Sequence, residues 1–297
     1  MTKTTNTNKT PTAPSKPERR CRIRVFLQPT GGAGKTTCCV LLAQHLNAQP
    51  GKKALAIDLD PGSTSLSNHK TLDTLRIELL DEDAEEVDQL QYKRLLSEIK
   101  ASPSKGYTDV ILDAGAGGFL GLRTWMITQN PFGMLESAGW EVELHYVIPG
   151  TGRNLEAYED LEEMLTSFPH HPMTIWLNPI QERCRLDGKD FLDTDLYHRH
   201  KDRIAAVIKL RLLNKALADT MMRMLQHGLT YADLDHLGAI IVEDIRNAML
   251  VDGSKPTATA SALAAMPPGL NDELVVTRMA TIRQWTAAAL AAAPGVL

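Results

Sequence analysis

No apolar run in this sequence of 297 residues reaches the ~18 residues that a membrane-spanning helix needs, and no signal peptide opens it. Association with a membrane is not expected. Cysteine is scarce: Cys21, Cys38, Cys39 and Cys184 stand at spacings that match no metal-ligand pattern. Adjacent Cys38 and Cys39 read as packing residues on a helix rather than redox groups, and a reducing cytoplasm fits. A dominant charge is missing too. The net charge is −4, and the basic residues gather at the start: Lys3, Lys9, Lys16, Arg19, Arg20, Arg22 and Arg24 against Glu18 alone. The acidic remainder gives no overall sign of a nucleic-acid surface. Hydrophobic content of 43% and charged content of 23% are ordinary for a globular protein, and the length suits one large domain or two small ones.

What the sequence does hold is concentrated in one stretch. Val25-Phe26-Leu27-Gln28-Pro29-Thr30-Gly31-Gly32-Ala33-Gly34-Lys35-Thr36-Thr37 carries an apolar strand through a glycine-rich turn into Lys-Thr-Thr, and an apolar helical run from Cys38 to Leu46 follows. This is the build of a phosphate-binding loop. Glycines let consecutive N–H groups converge on an anion, and the helix points its positive end at the same place. The candidate nucleotide-binding residues are Gly31, Gly32, Ala33, Gly34, Lys35, Thr36 and Thr37. Lys35 reaches the β/γ-phosphates and the Thr36 hydroxyl sits on Mg²⁺. The bland alternative is a structural glycine turn, against which Gly-Lys-Thr at a helix start counts.

Two further strands end in carboxylates. Ala54 to Asp60 is apolar until Asp58 and Asp60, and Pro61-Gly62 follows; Tyr107 to Asp113 ends in Asp113 and is followed by Ala114-Gly115-Ala116-Gly117-Gly118. In an open α/β sheet, ligands sit at the carboxyl ends of the strands, so these residues belong beside the phosphates. Asp113 reads as a holder of the Mg²⁺ water shell, and the glycines after it let backbone approach the γ-phosphate. Capping a turn is the alternative role for Asp60.

The remaining elements alternate. Leu75–Leu80 reads as a short extra strand and a helix runs to about Lys100 behind the acidic run Asp81–Glu86. A helix over Phe119–Gly139 breaks at Asn130-Pro131. Strands are expected over Val142–Ile148, Met173–Asn178 and 205–213, with helices over Arg153–Phe168 and Ala216–His227 and more helix over Leu229–Met249. Strand and helix alternating from 22 to 178 predict an α/β fold, a doubly wound, mostly parallel sheet with helices on both faces. The methionines at 221, 222 and 224 read as core filler. Residues 1–20 are expected to be a basic, disordered tail, 21–251 the P-loop domain, 252–270 a linker, and 271–297 a C-terminal helix docked on the domain or on a second copy.

The segment Gly31–Thr37 resembles the deviant Walker A loop of the ParA/MinD ATPase superfamily, and Asp58-x-Asp60-Pro61 and the strand ending at Asp113 look like its next two elements. Members usually carry a further lysine where this chain has Thr30. The resemblance implies ATP and Mg²⁺ as ligands, with catalytic roles for Lys35 and for Asp60, which orients the attacking water. It implies Thr36, Asp58 and Asp113 on the metal side. It makes Asn178 a reader of the adenine edge, a role that stays open beside that of opening the turn at Asn178-Pro179. It further implies an ATP-dependent homodimer, a DNA-binding or relaxosome-type protein partner, or DNA directly. Size, Thr30 and the C-terminal helices look most like plasmid-stability and conjugal-transfer ATPases of the StbB and TraL kinds. Without the extra lysine, weak hydrolysis and weaker dimerisation are expected. A metabolic ATP-dependent ligase on the same scaffold and a nucleotide-binding adaptor without useful hydrolysis are the competing readings.

Overall fold

The computed structural model describes residues 21–62, 65–79, 89–152 and 154–229, and near the C-terminus Gln284, Trp285, Ala288, Ala289 and Ala291. The expected basic tail, the 229–249 helix, apart from Leu229 itself, and the 252–270 linker lie outside these residues.

Seven strands form one wholly parallel sheet in the order β3-β2-β4-β1-β5-β6-β9. They are β1 (Arg22–Phe26), β2 (Ala54–Asp58), β3 (Asp73–Arg76), β4 (Asp109–Asp113), β5 (Glu141–Pro149), β6 (Met173–Asn178) and β9 (Ile204–Lys209). The helices between them are α1 (Lys35–Asn47), α2 (Gln89–Ala101), α3 (Phe119–Gln129), α4 (Pro131–Ser137), α5 (Asn154–Ser167), α6 (Asp195–His200) and α7 (Lys215–Gln226). A small hairpin, β7 (Arg185–Leu186) and β8 (Lys189–Asp190), precedes α6.

β1 is the middle of the sheet, and the chain builds outward from it on both sides. β2 and β4 lie to one side and β5 to the other, so the strand order reverses at β1. That reversal opens a crevice at the carboxyl end of β1, where the glycine loop leaves the sheet. Alternation along the strands sorts side chains to two cores. Ile23, Val25, Ile57, Val110 and Leu112 pack with Tyr92, Leu95, Leu122 and Leu161 on one face. Phe26, Ala56, Ile111 and Trp176 pack with Cys38, Cys39, Val40 and Leu42 of α1 on the other. β2 and β4 are buried along their whole length, as strands covered on both faces must be.

Element ends follow partners rather than composition. The strand expected at 75–80 is Asp73–Arg76, because its partner β2 stops at Asp58, whose register mate is Arg76. The 205–213 strand ends at Lys209, because β6 stops at Asn178 and Pro179 has no N–H to continue the ladder. The break at Asn130-Pro131 is a helix start. Asn130 takes a left-handed conformation, its side chain accepts the Gly133 N–H at 3.1 Å, and Pro131 occupies the first helical position.

Candidate functional site

The loop between β1 and α1 is shaped by glycine where nothing else fits. Gly32 and Gly34 have φ of 75° and 92°. A Cβ on Gly34 would also lie 2.2 Å from Asn178 Nδ2. α1 starts at Lys35 with no side chain capping its first N–H groups, so those donors face the cavity that the loop encloses. Lys35 is buried, and its Nζ donates to the Thr30 carbonyl at 3.0 Å, which draws the ammonium back along its own loop. Burial lowers its pKa, against the pull of Asp113 and Asp60.

Register brings the acidic residues to the same rim. Phe26 of β1 and Asp58 of β2 are both paired with Asp113 of β4. The Thr36 hydroxyl donates to Asp113 Oδ2 at 2.6 Å, while Asp113 Oδ1 is buried with no hydrogen bond. Burial pushes the Asp113 carboxyl up to about 6; the Thr36 hydrogen bond and Lys35 oppose this, and Asp58 and Asp60 add to it. Asp60 is half-buried, accepts the Gly62 N–H at 3.0 Å, and lies against Gly115, where a Cβ would come within 2.2 Å of its carboxyl carbon. Gly115 is glycine so that the turn after β4 can close on Asp60.

Gly31 to Thr37, Asp60, Asp113, Gly115, Ala116 and Asn178 line one cavity of about 550 Å³. That volume suits a ligand of nucleotide size. Asp58 is not among its lining residues. One Asp58 oxygen accepts the Asp60 N–H at 3.1 Å and the other accepts the N–H and hydroxyl of Ser67 at 3.2 and 3.0 Å. These bonds tie down the loop that carries Asp60, with Asp58 beside its register mate Asp113. Asn178 faces the cavity and donates from its Nδ2 to the Ala33 carbonyl at 2.9 Å, joining the end of β6 to the glycine loop.

The methionine stripe divides: Met224 is core, while Met221 and Met222 line the cavity with Leu210, Arg211 and Leu213. Trp285 lines it as well, a contribution from the far end of the chain that sequence spacing gave no means of finding. A magnesium ion fits the phosphate end. Thr36 Oγ1 and the Asp113 carboxylate are hard oxygen donors, Asp113 Oδ1 has no other bond, and Mg²⁺ uses one or two carboxylates plus phosphate rather than a full protein cage.

The family model described as the CobQ/CobB/MinD/ParA nucleotide binding domain matches residues 25–250. The chain belongs to this family. Among curated relatives of this MinD/ParA-type protein is Protein TraL of Escherichia coli, 28% identical over 195 residues, which is 65% of this chain and 78% of that protein. Among solved structures, the MinC:MinD cell division complex of Aquifex aeolicus superposes with a TM-score of 0.43 at 17% identity, covering 73% of this chain and 89% of that one. A ParA-family ATPase of Chlorobium tepidum gives 0.41 at 13% identity over 83% and 99%.

Proposed function

We propose that this MinD/ParA-type protein is a Mg-ATP-binding switch ATPase with weak intrinsic hydrolysis, acting in the cytoplasm in conjugal transfer or plasmid maintenance. The observation that carries the reading is the pairing of Thr36 with Asp113 beside an uncapped helix start and a buried lysine, all on one cavity. The loop N–H groups and Lys35 neutralise the β/γ-phosphates; Lys35 exchanges the Thr30 carbonyl for phosphate oxygen. Thr36 and Asp113 would hold magnesium, which supplies further charge neutralisation on the transferring phosphoryl group. Asp60, which lines the same cavity, is backed by Gly115 and accepts the Gly62 N–H, would accept a hydrogen bond from the attacking water.

When the terminal phosphate leaves, the 60–62 turn and the Gly115 turn, which meet at Asp60, would lose a common partner, the kind of change on which a switch depends. The likeness to TraL supports the transfer role. Thr30 brings no ammonium to the loop. The cations that line the cavity among the described residues are Lys35 and Arg211, and Arg211 lies toward its apolar end. Slow hydrolysis and weak ATP-driven dimerisation follow.

The test is to measure Mg-ATP binding, phosphate release and sedimentation for the wild type, Lys35→Ala and Thr30→Lys. Wild type should bind, Lys35→Ala should lose binding by more than about 100-fold, and Thr30→Lys should gain turnover and dimer. Equal ATP uptake by wild type and Lys35→Ala would sink the nucleotide assignment. No gain in Thr30→Lys removes the account of slow hydrolysis.

A further inference from the structure

The cavity has two ends of different chemistry. Toward Gly31–Thr37 and Asp113 it is lined by amides, an ammonium and a carboxylate. Leu213, Met221, Leu225 and the Trp285 indole give the rest of it hydrocarbon, a thioether and an aromatic ring, with Arg211, His69 and Gln226 as polar members of the lining. The glycine loop accounts for the first end. The second is a larger apolar surface than a phosphate chain needs.

Trp285 is held in the cavity wall by a contact with Arg211. The Arg211 guanidinium carbon lies 4.0 Å from the centroid of its ring, a cation–π distance that fixes the ring's tilt and covers one of its faces. Ala289, another of the described C-terminal residues, packs against the core beneath α1. α7, which supplies the neighbouring wall, is anchored in turn: a Cβ on Gly228, just past its end, would meet the Asn68 carbonyl at 2.2 Å. The apolar end is therefore a built surface, with a flat aromatic ring in a fixed position.

We infer that Trp285 is a base-stacking residue of this site: a nucleotide whose triphosphate lies on the glycine loop lays its base against the indole. This rests on the nucleotide reading proposed above and adds to it a residue from the C-terminal region, distant in sequence from the other lining residues. Aliphatic and thioether walls accept any hydrocarbon, whereas an indole fixed by a guanidinium offers a π-face, and every base has one to match. Nucleotide binding and the docking of the Trp285 segment then reinforce each other, because the ring belongs to both.

The two ends can be tested apart with Mg-ATP and with magnesium tripolyphosphate, which has the phosphates and no base. Trp125, Trp140 and Trp176 do not line the cavity, so the emission difference between wild type and Trp285→Phe isolates Trp285. ATP should quench that difference and tripolyphosphate should not. Trp285→Ala should weaken ATP about tenfold, within the range of base–aromatic stacking, and leave tripolyphosphate affinity unchanged, which also shows that the variant is folded. Trp285→Phe should recover most of the ATP affinity. Trp285→Ala that binds ATP as the wild type does, or an emission difference untouched by ATP, overturns this inference and leaves the nucleotide reading in place. Wild type that binds neither ligand overturns both.

Discussion

Two sets of buried charges sit on one sheet, and they are arranged in opposite ways. On the α1 face, Arg24 of β1 pairs with Asp109 at the start of β4 and lies 3.6 Å from Glu143 of β5. Glu143 also accepts the Thr174 hydroxyl, and His145 lies 3.7 Å from it with its Nδ1 taking the Trp176 indole N–H at 2.9 Å. There, every charge has an opposite or a hydrogen bond within reach. At the carboxyl rim of the same strands, Asp60 and Asp113 face the single ammonium of Lys35, Asp58 adds its charge behind Asp113, and Asp113 Oδ1 has no hydrogen bond. Desolvation disfavours both sets alike. In the first, Arg24, Thr108 and Lys52 overcome burial and hold Asp109 below the usual carboxylate range; in the second, burial wins and Asp113 rises to about 6. The balanced set serves the fold. The unbalanced one leaves an excess of negative charge at Asp113 that a divalent cation would offset.

The largest expected effect breaks the balanced set. Arg24→Met leaves Asp109 fully buried with the Thr108 hydroxyl and, as its one cation, Lys52, 3.6 Å away and partly exposed, and should cost about 3–5 kcal/mol in urea unfolding. Mg-ATP affinity of the fraction that folds should not change. Acid titration sharpens the same point. Asp109 and Glu143 both have folded pKa values below their ordinary 3.8 and 4.5. Their stabilisation is therefore complete above about pH 4.5 and lost as pH falls through the lower folded values. The wild type should lose stability over that range, and Arg24→Met should show a shallower loss. A variant as stable as wild type at neutral pH would mean that the network is decorative.

Next in size comes the opposite kind of residue. Asp60→Ala removes a carboxylate from the crowded rim, so the nucleotide-free protein should unfold at the same urea concentration or a slightly higher one. Phosphate release should fall about 100-fold, the low end for loss of a group that orients or deprotonates the nucleophile. ATP binding should stay within about threefold. If Asp60→Ala lost stability and kept turnover, its role would be that of a turn cap through the Gly62 N–H, the other reading its sequence context allowed.

The parts of this molecule that were legible in the sequence are those set by local pattern. Buried strands read as apolar runs, α4 began where Asn130-Pro131 said it would, and the glycine loop announced itself by residue type. What escaped was set by partners far along the chain. Nothing near Asp58 shows that Ser67 will take its carboxylate, and nothing near Trp285 points to the glycine loop more than two hundred residues earlier. One local signal was missed. Asp187-Gly188 between Leu186 and Lys189 is a two-residue hairpin turn, and the structure puts both at positive φ, 50° and 76°.

The smallest effect separates the roles open to Asn178, which lines the cavity beside the glycine loop. As a base reader it would choose among nucleotides; as a turn residue it would do nothing to them. The structure adds a third role, since its Nδ2 holds the Ala33 carbonyl at 2.9 Å and fills the space beside Gly34. Asn178→Ala removes one partly buried hydrogen bond, so it should cost about 1 kcal/mol of stability without nucleotide. The informative measurement is a ratio. If Asn178 reads the base, ATP affinity should fall several-fold more than that of an inosine triphosphate, whose purine edge has exchanged an amino donor for a carbonyl acceptor. If it only clamps the loop, both should weaken together and tripolyphosphate with them, because the damage would then lie in the amides that meet the phosphates. An unchanged ratio with unchanged tripolyphosphate affinity would return Asn178 to the turn before Pro179.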